Sequence, residues 1–299
     1  MPELLAILAL LIWSSLAVSA VALTGVPALF STGIALAIGG ACGLPWIRWR
    51  ELSLSALLVG AGAMFGYHAL YFLSLKLAEP VVANLLHYLW PLLIILLTPA
   101  LLPNHRLSRT HVIAGLLGFV GIVACVGDAP LGNWNAWWGY VLALVSALIW
   151  AAYSVWAKRS AAVPTSTVAL YCLLAGITAI ATNFFVQESF SVSRWQWIVL
   201  IYMGIGPLGG AFYLWDIAMK RGHPQRIALY GYAVPIASTA FVSIYVGKGL
   251  TAGTMLGALF VTISVMVGRR AENASTAQDW DSSVSESRPL DARPDLTEP

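Results

Sequence analysis

The chain has 299 residues, 59% of them hydrophobic and only 10% charged, with a net charge of +3. A water-soluble domain carries about a quarter of its residues as charged groups, so that class is excluded for most of this chain. Six of the 13 acidic residues precede position 271 and the other seven fall in the last 29 residues, which separates an almost uncharged body from a polar end.

The small positive balance does not point to nucleic acid. The basic residues sit in short loops between apolar runs, which is how membrane topology is encoded. Ten apolar runs are long enough to cross a hydrocarbon core of ~30 Å, which takes about 17–25 helical residues. They lie near 3–22, 27–46, 54–75, 80–102, 110–127, 136–157, 165–186, 195–217, 225–246 and 251–268. The runs are continuous rather than alternating, which argues against a β-barrel.

The first run opens on Met1-Pro2-Glu3 and lacks the basic start of a secretory signal, so it is predicted to be a membrane helix. The third run carries Gly62 and Gly66, a spacing that lets helix backbones approach closely, followed by His68 and Tyr71. Glu79 stands at the next helix end. In the fourth run Asn84, His87, Tyr88 and Pro91 recur at i, i+3, i+4 and i+7, one helical face, with Trp90 at its border.

Trp150 lies deep in the sixth run, too far from either end for an interfacial anchor. The eighth run holds Gly206, Pro207, Gly210 and Asp216, and the ninth holds Tyr232 and Pro235. The prolines remove backbone donors, so kinks are expected at Pro91, Pro207 and Pro235. Residues 271–299 are rich in Ser, Asp, Glu, Pro and Ala and read as a disordered tail.

An internal repeat organises the body. At a constant offset of 144, Gly60, Gly62, Gly66, Leu70, Lys76, Pro80, Leu85, Tyr88 and Pro91 match Gly204, Gly206, Gly210, Leu214, Lys220, Pro224, Leu229, Tyr232 and Pro235. Each half then holds five helices: 1–130, 131–270, with the tail at 271–299. Five is odd, so the second half would enter from the opposite face, giving an all-α membrane bundle of two inverted repeats. With the N-terminus inside, 11 Lys and Arg residues fall in cytoplasmic loops and three in outer loops, which predicts cytoplasmic termini.

Duplicated bundles are the signature of secondary transporters, with the site where the halves meet. Polar groups at mid-membrane are unfavourable against lipid, so the faces bearing His68, Tyr71, Asn84 and His87 are expected to line a cavity. Deep aromatic rings there would offer π contacts to a ring or cation–π contact to an ammonium group. Asp216 and Glu79 are candidates for proton transfer or gating. The matched glycines Gly62, Gly66, Gly206 and Gly210, with Pro91 and Pro235, are candidate hinges. No metalloprotease, hydrolase-elbow, Walker or dinucleotide motif occurs, so neither an enzyme activity nor a cofactor or metal is expected. A passive channel and an intramembrane enzyme remain the alternatives from other classes.

Ten helices, five-plus-five repeats and the helix-end Glu79-Pro80 resemble the drug/metabolite transporter superfamily of EamA type over about residues 3–268. Within it, His68-Ala69-Leu70-Tyr71 and His87-Tyr88-Leu89-Trp90-Pro91 are similar to aromatic amino acid exporters. The resemblance implies an inner-membrane exporter of small amino acids with a central cavity. It points to His68, Tyr71, Tyr88, Trp90 and Trp150; Asn84, His87 and Tyr232 join them from the helical stripe and the repeat. A broader metabolite or drug exporter of the same fold is the nearest alternative.

Overall fold

The computed structural model describes residues 1–103, 105–126, 137–186, 189–245, 247 and 249–286. Within them the chain is helical: α1 Pro2–Ser14, α2 Leu16–Ala22, α3 Ala28–Gly43, α4 Leu54–Leu77, α5 Pro80–His87, α6 Trp90–Leu101, α7 Arg109–Val126, α8 Trp137–Arg159, α9 Val168–Val186, α10 Arg194–Ile205, α11 Ala211–Arg221, α12 Pro224–Gly231, α13 Ala233–Tyr245 and α14 Ala252–Glu286. Among these residues, eight segments are long and apolar enough to cross a membrane. The other two expected spans are present as the shorter apolar helices Arg109–Ala124 and Ala252–Gly268.

The expected fourth and ninth spans are each broken in two. Proline cannot donate to the carbonyl four residues back and its ring crowds that carbonyl. Four residues before Pro91 is His87, where α5 stops, and four before Pro235 is Gly231, where α12 stops. In the eighth span Pro207 sits in a π-helical turn, Gly206–Gly210, between α10 and α11. The matched stretch of the third span runs straight through α4, because Ala63 and Phe65 stand where the eighth span has Pro207 and Gly209.

Packing joins the two halves directly. Helix α3 lies antiparallel to α9: Gly33 meets Gly176 and Ile180, while Gly40 meets Ala169 and Leu173. Helix α7 is antiparallel to α14, with Gly121 against Gly257 and the Ser264 hydroxyl donating to the Ala114 carbonyl at 2.6 Å. Helices α4 with α8 and α1 with α11 make the other large helix contacts between halves.

Two expectations need correction. Close approach does not occur at Gly62, which has nothing within 4 Å of the position a Cβ would take, and Gly66 meets only Ile149. The repeat-matched pair Gly60 and Gly204 carries it instead: a side chain at Gly60 would strike the Tyr171 ring of α9, and one at Gly204 would strike Ile38 of α3. Helical spacing gives the interval between small residues but not which face turns inward.

The polar end also departs from the expected disordered tail at 271. Helix α14 continues to Glu286, and no glycine or proline interrupts the sequence before Pro289. Residues 287–299 lie outside the described residues.

Candidate functional site

The deep aromatic residues of the two halves converge on one cluster. Trp150 of α8 is its hub, with ring centroids 5.5 Å from Trp13, 5.2 Å from Tyr67, 5.7 Å from Phe212 and 6.1 Å from Trp215. Trp90 joins through Trp215, edge to face at 5.7 Å. Its ring also fills the place a side chain at Gly231 would occupy, so glycine there is a steric requirement. Trp13 and Trp215 are anchored by their indole N–H groups, to the Pro207 carbonyl at 2.8 Å and the Ser154 hydroxyl at 3.1 Å.

The cluster has a polar lobe. Tyr67 and Tyr71 are one turn apart on α4, as are Met64 and His68, so these rings face one way. The Tyr67 ring lies 4.4 Å from His68 and 5.3 Å from His87, and Tyr71 lies 4.4 Å from His87. The Tyr71 hydroxyl donates to Asn84 Oδ1 at 2.8 Å. His68 Nδ1 is 2.7 Å from the Met64 carbonyl, and His87 Nδ1 is 2.9 Å from the Ser146 hydroxyl. Both imidazoles are buried, as are Trp90 and Trp150.

The polar lobe comes from the first half plus α8. The repeat partners of His68, Tyr71 and His87 are Phe212, Trp215 and Gly231, so the second half supplies apolar rings where the first supplies hydrogen-bonding groups. An amphiphile with an aromatic ring at one end fits such a division.

Of the residues singled out in the sequence, His68, Tyr71, Asn84, His87 and Trp150 meet directly, and Trp90 borders them. Tyr88 is half-buried, with its ring 6.1 Å from His87. Tyr232 is fully buried elsewhere, its ring filling the position of a side chain at Gly118 on α7. Glu79 stands at the corner between α4 and α5, its carbonyl taking the Ala83 amide at 2.9 Å.

Asp216 is buried next to the cluster but pairs away from it. Its carboxylate binds Lys220 at 2.7 Å and accepts from the Thr165 hydroxyl at 2.5 Å. Lys220 Nζ also reaches the Val163 carbonyl at 2.6 Å. Lys158 donates to the Lys220 and Gly222 carbonyls, capping the C-terminal end of α11, where a cation is favoured by the helix dipole. Near this end Glu3 holds Arg226 at 2.7 Å and the Tyr230 hydroxyl at 2.8 Å, tying α1 to α12. Among the described residues no three His, Cys, Asp or Glu side chains gather as a metal site.

Tyr67, Ser146, Phe212 and Trp215 belong to the cluster beyond the expected set. Tyr67 and Ser146 each had a faint signal: Tyr67 is one turn before Tyr71, and Ser146 one turn before Trp150.

Comparison with known proteins agrees with this architecture. The chain matches the EamA-like transporter family over residues 1–127 and again over 137–268. It is 39% identical over 274 residues to the aromatic amino acid exporter YddG of Ancylobacter novellus, covering 88% of this chain and 93% of that protein. The YddG of Escherichia coli strain K12 is 25% identical over 227 residues, covering 72% of this chain and 76% of its own. A solved crystal structure superposes with a TM-score of 0.81 at 35% identity, covering 89% of this chain and 96% of its own. This chain is therefore a multi-pass membrane protein belonging to the EamA-like transporter family.

Proposed function

We propose that the protein exports aromatic and related amino acids across a bacterial inner membrane by alternating access. The observation that carries this reading is the cluster itself: buried rings from both halves around Trp150, with a hydrogen-bonding lobe at His68, Tyr71, Asn84 and His87. The relatives named as aromatic amino acid exporters give the same direction.

In this reading ten spans form two inverted repeats, and both termini are cytoplasmic. Antiparallel packing of α3 on α9 and of α7 on α14 supports inversion, since these are repeat-equivalent helices. Exchanging the halves also turns the α4–α8 contact into the α1–α11 contact. Substrate would rest among His68, Tyr71, Asn84, His87, Tyr88, Trp90 and Trp150, with Tyr232 supporting from α7. The breaks at Pro91, Pro207 and Pro235, with Gly62, Gly66, Gly206 and Gly210, would absorb the motion. Asp216 and Glu79 remain the candidates for proton transfer or gating.

Uptake of a labelled amino-acid panel into proteoliposomes, with and without a pH gradient, tests the reading. Saturable uptake favouring phenylalanine, tyrosine and tryptophan is expected. Non-saturable flux would indicate a channel, and chemical conversion of the substrate an enzyme; either result overturns the carrier.

A further inference from the structure

The hydrogen bonds made by the two buried imidazoles fix which ring nitrogen carries the proton. The partner of His68 Nδ1 is the Met64 carbonyl, which can only accept, so Nδ1 is the N–H donor. The partner of His87 Nδ1 is the Ser146 hydroxyl. That hydroxyl has one proton, and it goes to the Ala143 carbonyl at 2.8 Å. Toward His87 the serine oxygen can therefore only accept, and His87 also carries its proton on Nδ1.

Neither ring is paired with a carboxylate among the described residues, and a charged imidazole out of water is strongly disfavoured. Each neutral ring then keeps a lone pair on Nε2. Neither Nε2 has a hydrogen-bond partner among the described residues. The two rings flank the same tyrosine, Tyr67, whose face is also turned to Trp150. The polar lobe thus offers two acceptors and aromatic faces, and no Lys or Arg ion-pairs within it.

Resting on the exporter reading above, we propose that this lobe recognises the ammonium end of the substrate rather than its carboxylate. An ammonium group donates to acceptors and is drawn to aromatic faces, whereas a carboxylate needs donors. Ser146 is a positioning residue, acting through His87 by holding its tautomer. The substrate class widens accordingly: aromatic primary amines without a carboxylate fit the site, and aromatic acids without an amine do not.

The test is inhibition of labelled phenylalanine exchange in proteoliposomes containing the full chain, which is insensitive to passive leakage of the competitor. Phenethylamine is expected to compete within about tenfold of unlabelled phenylalanine, and 3-phenylpropionate at least about tenfold more weakly, as charged hydrogen bonds imply. Equal inhibition by both, inhibition by the acid alone, or inhibition by neither overturns the proposal while leaving the exporter reading intact. Absence of phenylalanine exchange in the unmutated protein would instead remove the exporter reading. Ser146→Ala frees the His87 tautomer and should shrink the amine-over-acid preference severalfold, while Ser146→Thr, which keeps the hydroxyl, should retain it. A preference unchanged in a folded Ser146→Ala protein contradicts the positioning role.

Discussion

At the residue scale, Trp90 and Gly231 form a lock across the halves. The indole occupies the space that any larger residue at 231 would need. Gly231→Ala should therefore destabilise the protein by about 1–3 kcal/mol through overpacking, read as a lower melting temperature in detergent. Trp90→Ala has the opposite defect, a void of indole size, and should cost about 3–5 kcal/mol. Where it still folds, aromatic substrates should bind up to about tenfold more weakly, with small amino acids less affected. His68→Ala should depress transport of all amino acids. The stripe of Asn84 and His87 was legible in the sequence because helical spacing places such residues on one face. Ser146 was not, because a lone serine in an apolar helix has no mark until its partner is known.

At the element scale, the halves differ in where they bend. The copied prolines break the fourth and ninth spans at matched places, and this was legible because proline acts through its own backbone. The π-turn at Gly206–Gly210 was not legible as such: the spacing of Gly206 and Gly210 is identical to that of Gly62 and Gly66, and only Pro207 and Gly209 distinguish them. That turn leaves the Pro207 carbonyl to accept from Trp13, which links the bend to the aromatic cluster. Beside it, Asp216 and Lys220 form a pair with 4% and 10% of their side chains exposed. Removing one member of a buried pair strands the other, so Asp216→Asn should destabilise by roughly 3–5 kcal/mol. Asp216→Asn with Lys220→Met should regain part of that loss in thermal unfolding. If Asp216 carried the coupling proton, Asp216→Asn would also abolish any dependence of transport on a pH gradient.

At the scale of the whole molecule, ties between chain regions gather where Glu3, Arg226, Lys158 and Lys220 lie. These residues stand at the ends predicted to be cytoplasmic by the distribution of Lys and Arg. Single cysteines introduced near Met1 and Arg270 should be unreactive to an impermeant maleimide in intact cells and reactive in inverted vesicles; labelling in intact cells contradicts the orientation. The bundle was legible in the sequence because apolar run length and the repeat survive without any knowledge of contacts. Rotational phase was not, which is why Gly62 faces open space while Gly60 makes the contact.

The central claim is that substrate is carried by a site formed between the halves. Counterflow of labelled phenylalanine in proteoliposomes tests this most directly. Unlabelled phenylalanine on the far side should accelerate entry of label in the native protein, and His68→Ala should suppress that acceleration in a protein that still folds. Label entry that is indifferent to substrate on the far side, or unchanged in His68→Ala, would contradict the account.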